Sequence, residues 1–148
     1  MAGIEREATC VWEGDLAHGA GRLSAASSVA FTGLALSLPT RIGRPGDQTS
    51  PEELLAAAHA GCFAMALASI LTNADVPPGR LDVACRIRVD EDPERGFRVA
   101  ASSIAVRAEV DGLARDALTA AVAAADAACP YSALLRDAGA AVDVGLAD

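Results

Sequence analysis

The chain has 148 residues, of which 52% are hydrophobic and 22% charged, a balance that excludes a disordered polar segment and fits a single domain spanning residues 1–148. Its net charge is −8, and its 12 basic residues are all arginine, scattered without a cluster, so nucleic acid is excluded as a partner because phosphate binding draws on a concentrated basic surface. Only 3% of residues are aromatic while about a quarter are alanine, which calls for a core of small side chains in close contact.

The first seven residues carry three charges and no apolar run, so no secretory signal is expected and the cytoplasm is the expected compartment. Ala8, Cys10 and Trp12 alternate with polar neighbours as in a strand, and Gly14-Asp15 starts a turn toward a second strand near Gly21 to Ala25, with His18 solvated in between. The alternation places Cys10 and Trp12 on a core face. Ser50 as N-cap, Pro51 at the first position and Glu53 completing a capping box predict a helix start. The uncharged run Leu54 to Ala74 that follows is about as long as a membrane span. Its Ala, Gly, Ser, Thr, Asn and His content and its acidic flanks read instead as a helix buried inside protein, not as a membrane segment. Because this helix is apolar nearly all round, it must be covered on every side, and in so small a chain that requires a second subunit.

Val76-Pro77-Pro78-Gly79 ends the helix. Leu81, Val83, Cys85, Ile87 and Val89 then alternate with charged or small residues in a half-buried strand. Asp90 to Gly96 reads as a hairpin connection into a strand from Phe97 to Val110, whose apolar phase slips at Ser102 and Ser103, so a bulge is expected there. Leu113 to Ala128 predicts an Ala-rich helix, Pro130 opens a short helix through Arg136, and Ala140 to Leu146 reads as a last strand. Strands and helices clustered in this order predict an α+β fold, an antiparallel sheet packed on two main helices.

Cys10, Cys62, Cys85 and Cys129 are widely spaced with no CxxC pair, which argues against a disulfide framework or a zinc knuckle. Cys62 lies too deep in its helix to gain from the helix dipole, so activating it requires a cation, for which Arg41 and Arg44 are candidates and Glu52 a carboxylate that could hold the guanidinium. Cys129, expected to be the N-cap of the helix opened by Pro130, occupies a place that lowers a thiol pKa, and by local physics it is the more reactive sulfur. His59, one turn before Cys62, lacks the partners for a metal site and reads as structural, and Cys10 and Cys85 read as packing residues.

The segments CVWEGDL, PTR, SPEELLAAAHAGCFAMAL and CPYSALLR, in this order, resemble the OsmC/Ohr family of thiol-dependent hydroperoxide reductases over nearly the whole chain. WEGD and AAHA resemble the OsmC branch, and Tyr131 in CPYS resembles the Ohr branch. By matching position the resemblance implies that Cys62 is the peroxidatic cysteine, Cys129 the resolving cysteine, Arg41 the thiolate-activating cation and Glu52 its partner, which reverses the local argument for Cys129. It further implies an intertwined homodimer with helices central and sheets outside. The implied chemistry reduces an organic hydroperoxide through a Cys62 sulfenic acid and a Cys62–Cys129 disulfide, with no metal or cofactor, and a dithiol such as a lipoyl protein restores the thiols. Two other readings compete: a non-catalytic stress-response domain holding an apolar ligand in the dimer cleft, and a thiol redox sensor.

Overall fold

The computed structural model describes residues 3–148. They group into two compact units, the first ending at Pro51 and the second running Glu52–Asp148.

In the first unit, β1 (Ala8–Glu13), β2 (Ala20–Ala25) and β3 (Leu34–Leu36) form a three-stranded antiparallel sheet in that order, followed by the short helix α1 (Leu38–Ile42). Trp12 pairs with Gly21 across the sheet, and a side chain at Gly21 would strike both the Trp12 ring and Leu36, so glycine gives the indole its seat. The indole N–H donates to the Gly14 carbonyl at 2.9 Å. The expectation that Cys10 and Trp12 are core residues fails: Cys10 is exposed and Trp12 is 38% exposed. β1 is an edge strand exposed along its whole length, so its alternation orders its two faces without burying either within the chain. His18 is solvent-exposed as expected and pairs with Asp15 at 3.1 Å.

The second unit holds all but the first residue of α2 (Pro51–Asn73), then β4 (Arg80–Asp92), β5 (Gly96–Glu109), α3 (Arg115–Ala128), α4 (Pro130–Asp137) and β6 (Ala141–Leu146). Pro51 opens α2 as its sequence predicts. The helix ends with Asp75 at φ 60° and the Val76 N–H donating back to the Leu71 carbonyl at 3.0 Å, a Schellman closure reached just before the two prolines. β4 and β5 pair antiparallel over almost their full length. β6 returns parallel to β5, which differs from the all-antiparallel expectation. The intervening α3 and α4 supply the long crossover that a parallel neighbour requires. The fold class is α+β as expected, with two three-stranded sheets.

The register between β4 and β5 shifts between Arg88 and Val89, leaving Ala100 as the extra residue, two positions before the expected bulge. Ser102 stays on the buried phase with Ala100, Ile104 and Val106. The core joins Phe63, Leu67 and Leu71 of α2 with Ile104 and Val106 of β5, Val122 and Ala125 of α3, and Cys129. These residues line one side of α2. The rest of that helix is less protected, and Met65 is 70% exposed, so burial on every side is not reached within one chain.

Candidate thiol site

Cys129 sits at the corner between α3 and α4, where the chain bends by 62°. A residue preceding proline is pushed out of the helical region, and Cys129 accordingly has extended backbone angles, with φ −78° and ψ 114°. Pro130 then opens α4, its preset φ suiting the first helical position. The Cys129 thiol is fully buried, and Cys62 in the middle of α2 is half-buried beside it. All four cysteines are free thiols.

Cys62 packs against the buried cluster that contains Cys129, within reach of that thiol's influence. Burial pushes the Cys62 thiol up, and the hydrogen bond and charge of Cys129 push it further, while the Tyr131 backbone N–H draws it down. Pro130 has no N–H to offer, so Tyr131 supplies the first free donor at the start of α4. The helix terminus expected to serve Cys129 therefore serves Cys62. Cys129 makes no side-chain capping bond of its own. Arg41 lies in the last turn of α1 in the first unit, and Glu52 in the first turn of α2. Ten residues separate Glu52 from Cys62, about 15 Å along the helix axis. Arg44 follows α1 in the loop before α2.

A polar network that the sequence does not announce lies one turn from Cys62. His59 is fully buried, with Nδ1 2.8 Å from the Ser102 hydroxyl and Nε2 2.9 Å from the Ser132 hydroxyl. Burial holds its imidazole below the usual range, an effect that Asp126 opposes and Arg136 reinforces. A neutral imidazole bridging two hydroxyls donates at one nitrogen and accepts at the other, so both serines are satisfied without a buried charge. This agrees with the expected structural role. Cys85 joins the same network, its sulfur 3.3 Å from the Ser102 hydroxyl. Burial pushes its thiol up, against a hydrogen bond from Ser102.

Asp126 of α3 and Arg136 of α4 form an ion pair across the corner that holds Cys129. Burial works against the Asp126 charge, but Arg136, then Ser132, hold the carboxyl below its usual range. Asp126 Oδ1 is buried with no partner at hydrogen-bond distance among the described residues. The Arg136 guanidinium, governed chiefly by Asp126, also lies within electrostatic reach of Cys129.

A family described as OsmC-like protein matches residues 44–144. Peroxiredoxin OsmC of Escherichia coli (strain K12) is 32% identical over 134 residues, covering 90% of this chain and 91% of that protein. An organic hydroperoxide resistance protein of Xanthomonas axonopodis pv. citri is 31% identical over 103 residues, covering 68% and 70%. Among solved structures, an organic hydroperoxide resistance protein OsmC from Legionella pneumophila superposes with a TM-score of 0.76 at 25% identity, covering 100% of both chains.

Proposed function

The chain belongs to the OsmC-like protein family, and from that premise we propose that it is a thiol-dependent peroxidase that reduces organic hydroperoxides in stress defence. The observation that carries this reading is the packing of Cys62 against the buried cluster that holds Cys129. In the first step the Cys62 thiolate attacks one peroxide oxygen. The O–O bond breaks, leaving Cys62 as a sulfenic acid, and the expelled alkoxide takes up a proton to become an alcohol. In the second, the Cys129 thiol attacks the sulfenic sulfur and releases water, leaving the Cys62–Cys129 disulfide. An external dithiol, with a lipoyl protein as one candidate, then reduces that disulfide in a reducing compartment such as the cytoplasm.

Because burial and Cys129 both raise the Cys62 thiol, the first step needs a cation in addition to the Tyr131 N–H. Arg41 is assigned that role, with Glu52 orienting its guanidinium. A guanidinium favours the thiolate and also the charge that develops on the leaving oxygen. The apolar packing around Cys62, which includes Phe63 and Ala66 of the core side, favours the alkyl part of an organic hydroperoxide over compact hydrogen peroxide. A dithiol-coupled assay should therefore give faster turnover with cumene hydroperoxide than with hydrogen peroxide, and Arg41→Ala should lower turnover by about 10²-fold. Equal or no turnover of the two peroxides contradicts the reading, and a loss that falls on Arg44→Ala instead moves the cation's role to Arg44.

The working form is proposed to be a homodimer, because the side of α2 that carries Met65 is apolar and exposed in one chain. Sedimentation at micromolar concentration is expected to give a dimer, and a well-folded monomer would contradict it.

A further inference from the structure

We propose that His59 and Ser132 form a register lock that holds Cys129 in position to attack the oxidised Cys62. The inference rests on the peroxidase reading and adds positioning residues to it. His59 and Cys62 are three residues apart on α2, and Cys129 and Ser132 are three residues apart at the start of α4. The two pairs meet in mirrored order: Cys62 interacts with Cys129, and His59 Nε2 bonds the Ser132 hydroxyl at 2.9 Å. Residues three apart on a helix share a face. The His59–Ser132 bond therefore fixes both how far α4 slides along α2 and how it is rotated, the two freedoms that would separate the sulfurs.

The imidazole is itself fixed, because its other nitrogen is bonded to Ser102 of β5 at 2.8 Å and the ring is fully buried. Two further ties lie within the corner itself: the Asp126–Arg136 ion pair and the Cys129 N–H donating to the Asp126 carbonyl at 3.3 Å. They hold the corner together, and the His59–Ser132 bond, with the Tyr131 N–H beside it, connects the corner to the helix that carries Cys62. Disulfide formation demands close approach of both sulfurs in a restricted geometry, whereas attack of Cys62 on a peroxide draws on α4 only through the Tyr131 N–H. The lock should thus weigh far more on the second step than on the first.

The test separates the two steps in wild-type protein and in Ser132→Ala, His59→Leu and His59→Gln. After one equivalent of cumene hydroperoxide, peroxide loss reports the first step. Mass spectrometry with dimedone present reports how Cys62 sulfenic acid divides between trapping and the disulfide. Ser132→Ala and His59→Leu are expected to consume peroxide within about twofold of wild type but to form the disulfide about 10- to 100-fold more slowly, with Cys62 becoming the main dimedone adduct. His59→Gln, which can still donate to Ser132, should recover most of the disulfide. If His59→Leu does not fold, Ser132→Ala and His59→Gln carry the comparison. Disulfide formation at the wild-type rate in Ser132→Ala would overturn the lock, as would equal slowing of both steps. Absence of the disulfide from wild-type protein would instead remove the peroxidase reading beneath it.

Discussion

Cys62→Ser is expected to abolish peroxide consumption, whereas Cys129→Ser should consume about one equivalent and stop as a Cys62 sulfenic acid open to further oxidation. The asymmetry follows from the proposed division of labour between the sulfurs, in which one breaks the O–O bond and the other acts only afterwards. Cys10→Ala and Cys85→Ala should turn over like wild type, Cys10 because it lies exposed on β1 and Cys85 because it faces Ser102 of the sheet. Stability of the Cys85 variant can fall by about 1 kcal/mol without touching the chemistry. Peroxide titration of the four proteins checks this. Full consumption by Cys62→Ser with oxidation appearing on Cys129 would reinstate Cys129 as the attacking thiol.

The largest stability effect is expected at Phe63→Ala. Its ring has no exposure and lies in the cluster that joins α2 to β5 and α3. Removing a buried phenyl group costs about 3–5 kcal/mol, made up of lost transfer energy and the cavity left behind. In a chain of this size that lowers the thermal midpoint by roughly 10 °C. Met65→Ala, two residues on and 70% exposed, should leave the fold of one chain almost untouched and weaken self-association instead. A midpoint shift under about 3 °C for Phe63→Ala would show that the cluster is not the core of the second unit.

The elements with strong periodicity were legible in the sequence. The alternation from Leu81 to Val89 and the capping signals at Ser50 and Pro51 locate the starts of β4 and α2 to within a residue, since each rests on a local preference that tertiary packing does not oppose; β4 runs on to Asp92, three residues into the stretch read as the hairpin connection. β3 and α1 were missed because three and five residues carry no period, and Pro39 inside α1 reads as a break. The parallel pairing of β6 depends on a crossover that alternation in Ala140 to Leu146 does not encode.

The placement of Cys62 beside Cys129 was legible only through resemblance, because Cys129 lies 67 positions after Cys62 in the sequence. Local physics identified the helix start at Pro130 but assigned its free donor to Cys129, when the 62° corner turns the Tyr131 N–H to Cys62. The partners of His59 lie 43 and 73 residues away, beyond any local pattern. One signal was present: Ser102 occupies the buried phase of β5. Read as a slip of that phase, it suggested a bulge, whereas a hydroxyl can stay on an apolar face when a buried partner satisfies it.

The central claim is that Cys62 and Cys129 form one redox pair. It is tested most directly by mapping disulfides in the wild-type protein after a single equivalent of cumene hydroperoxide, by mass spectrometry without reduction. The account predicts one new cross-link, joining the Cys62 peptide to the Cys129 peptide and reversed by a dithiol. A cross-link through Cys10 or Cys85, or Cys62 oxidised with Cys129 left as a thiol, would contradict it.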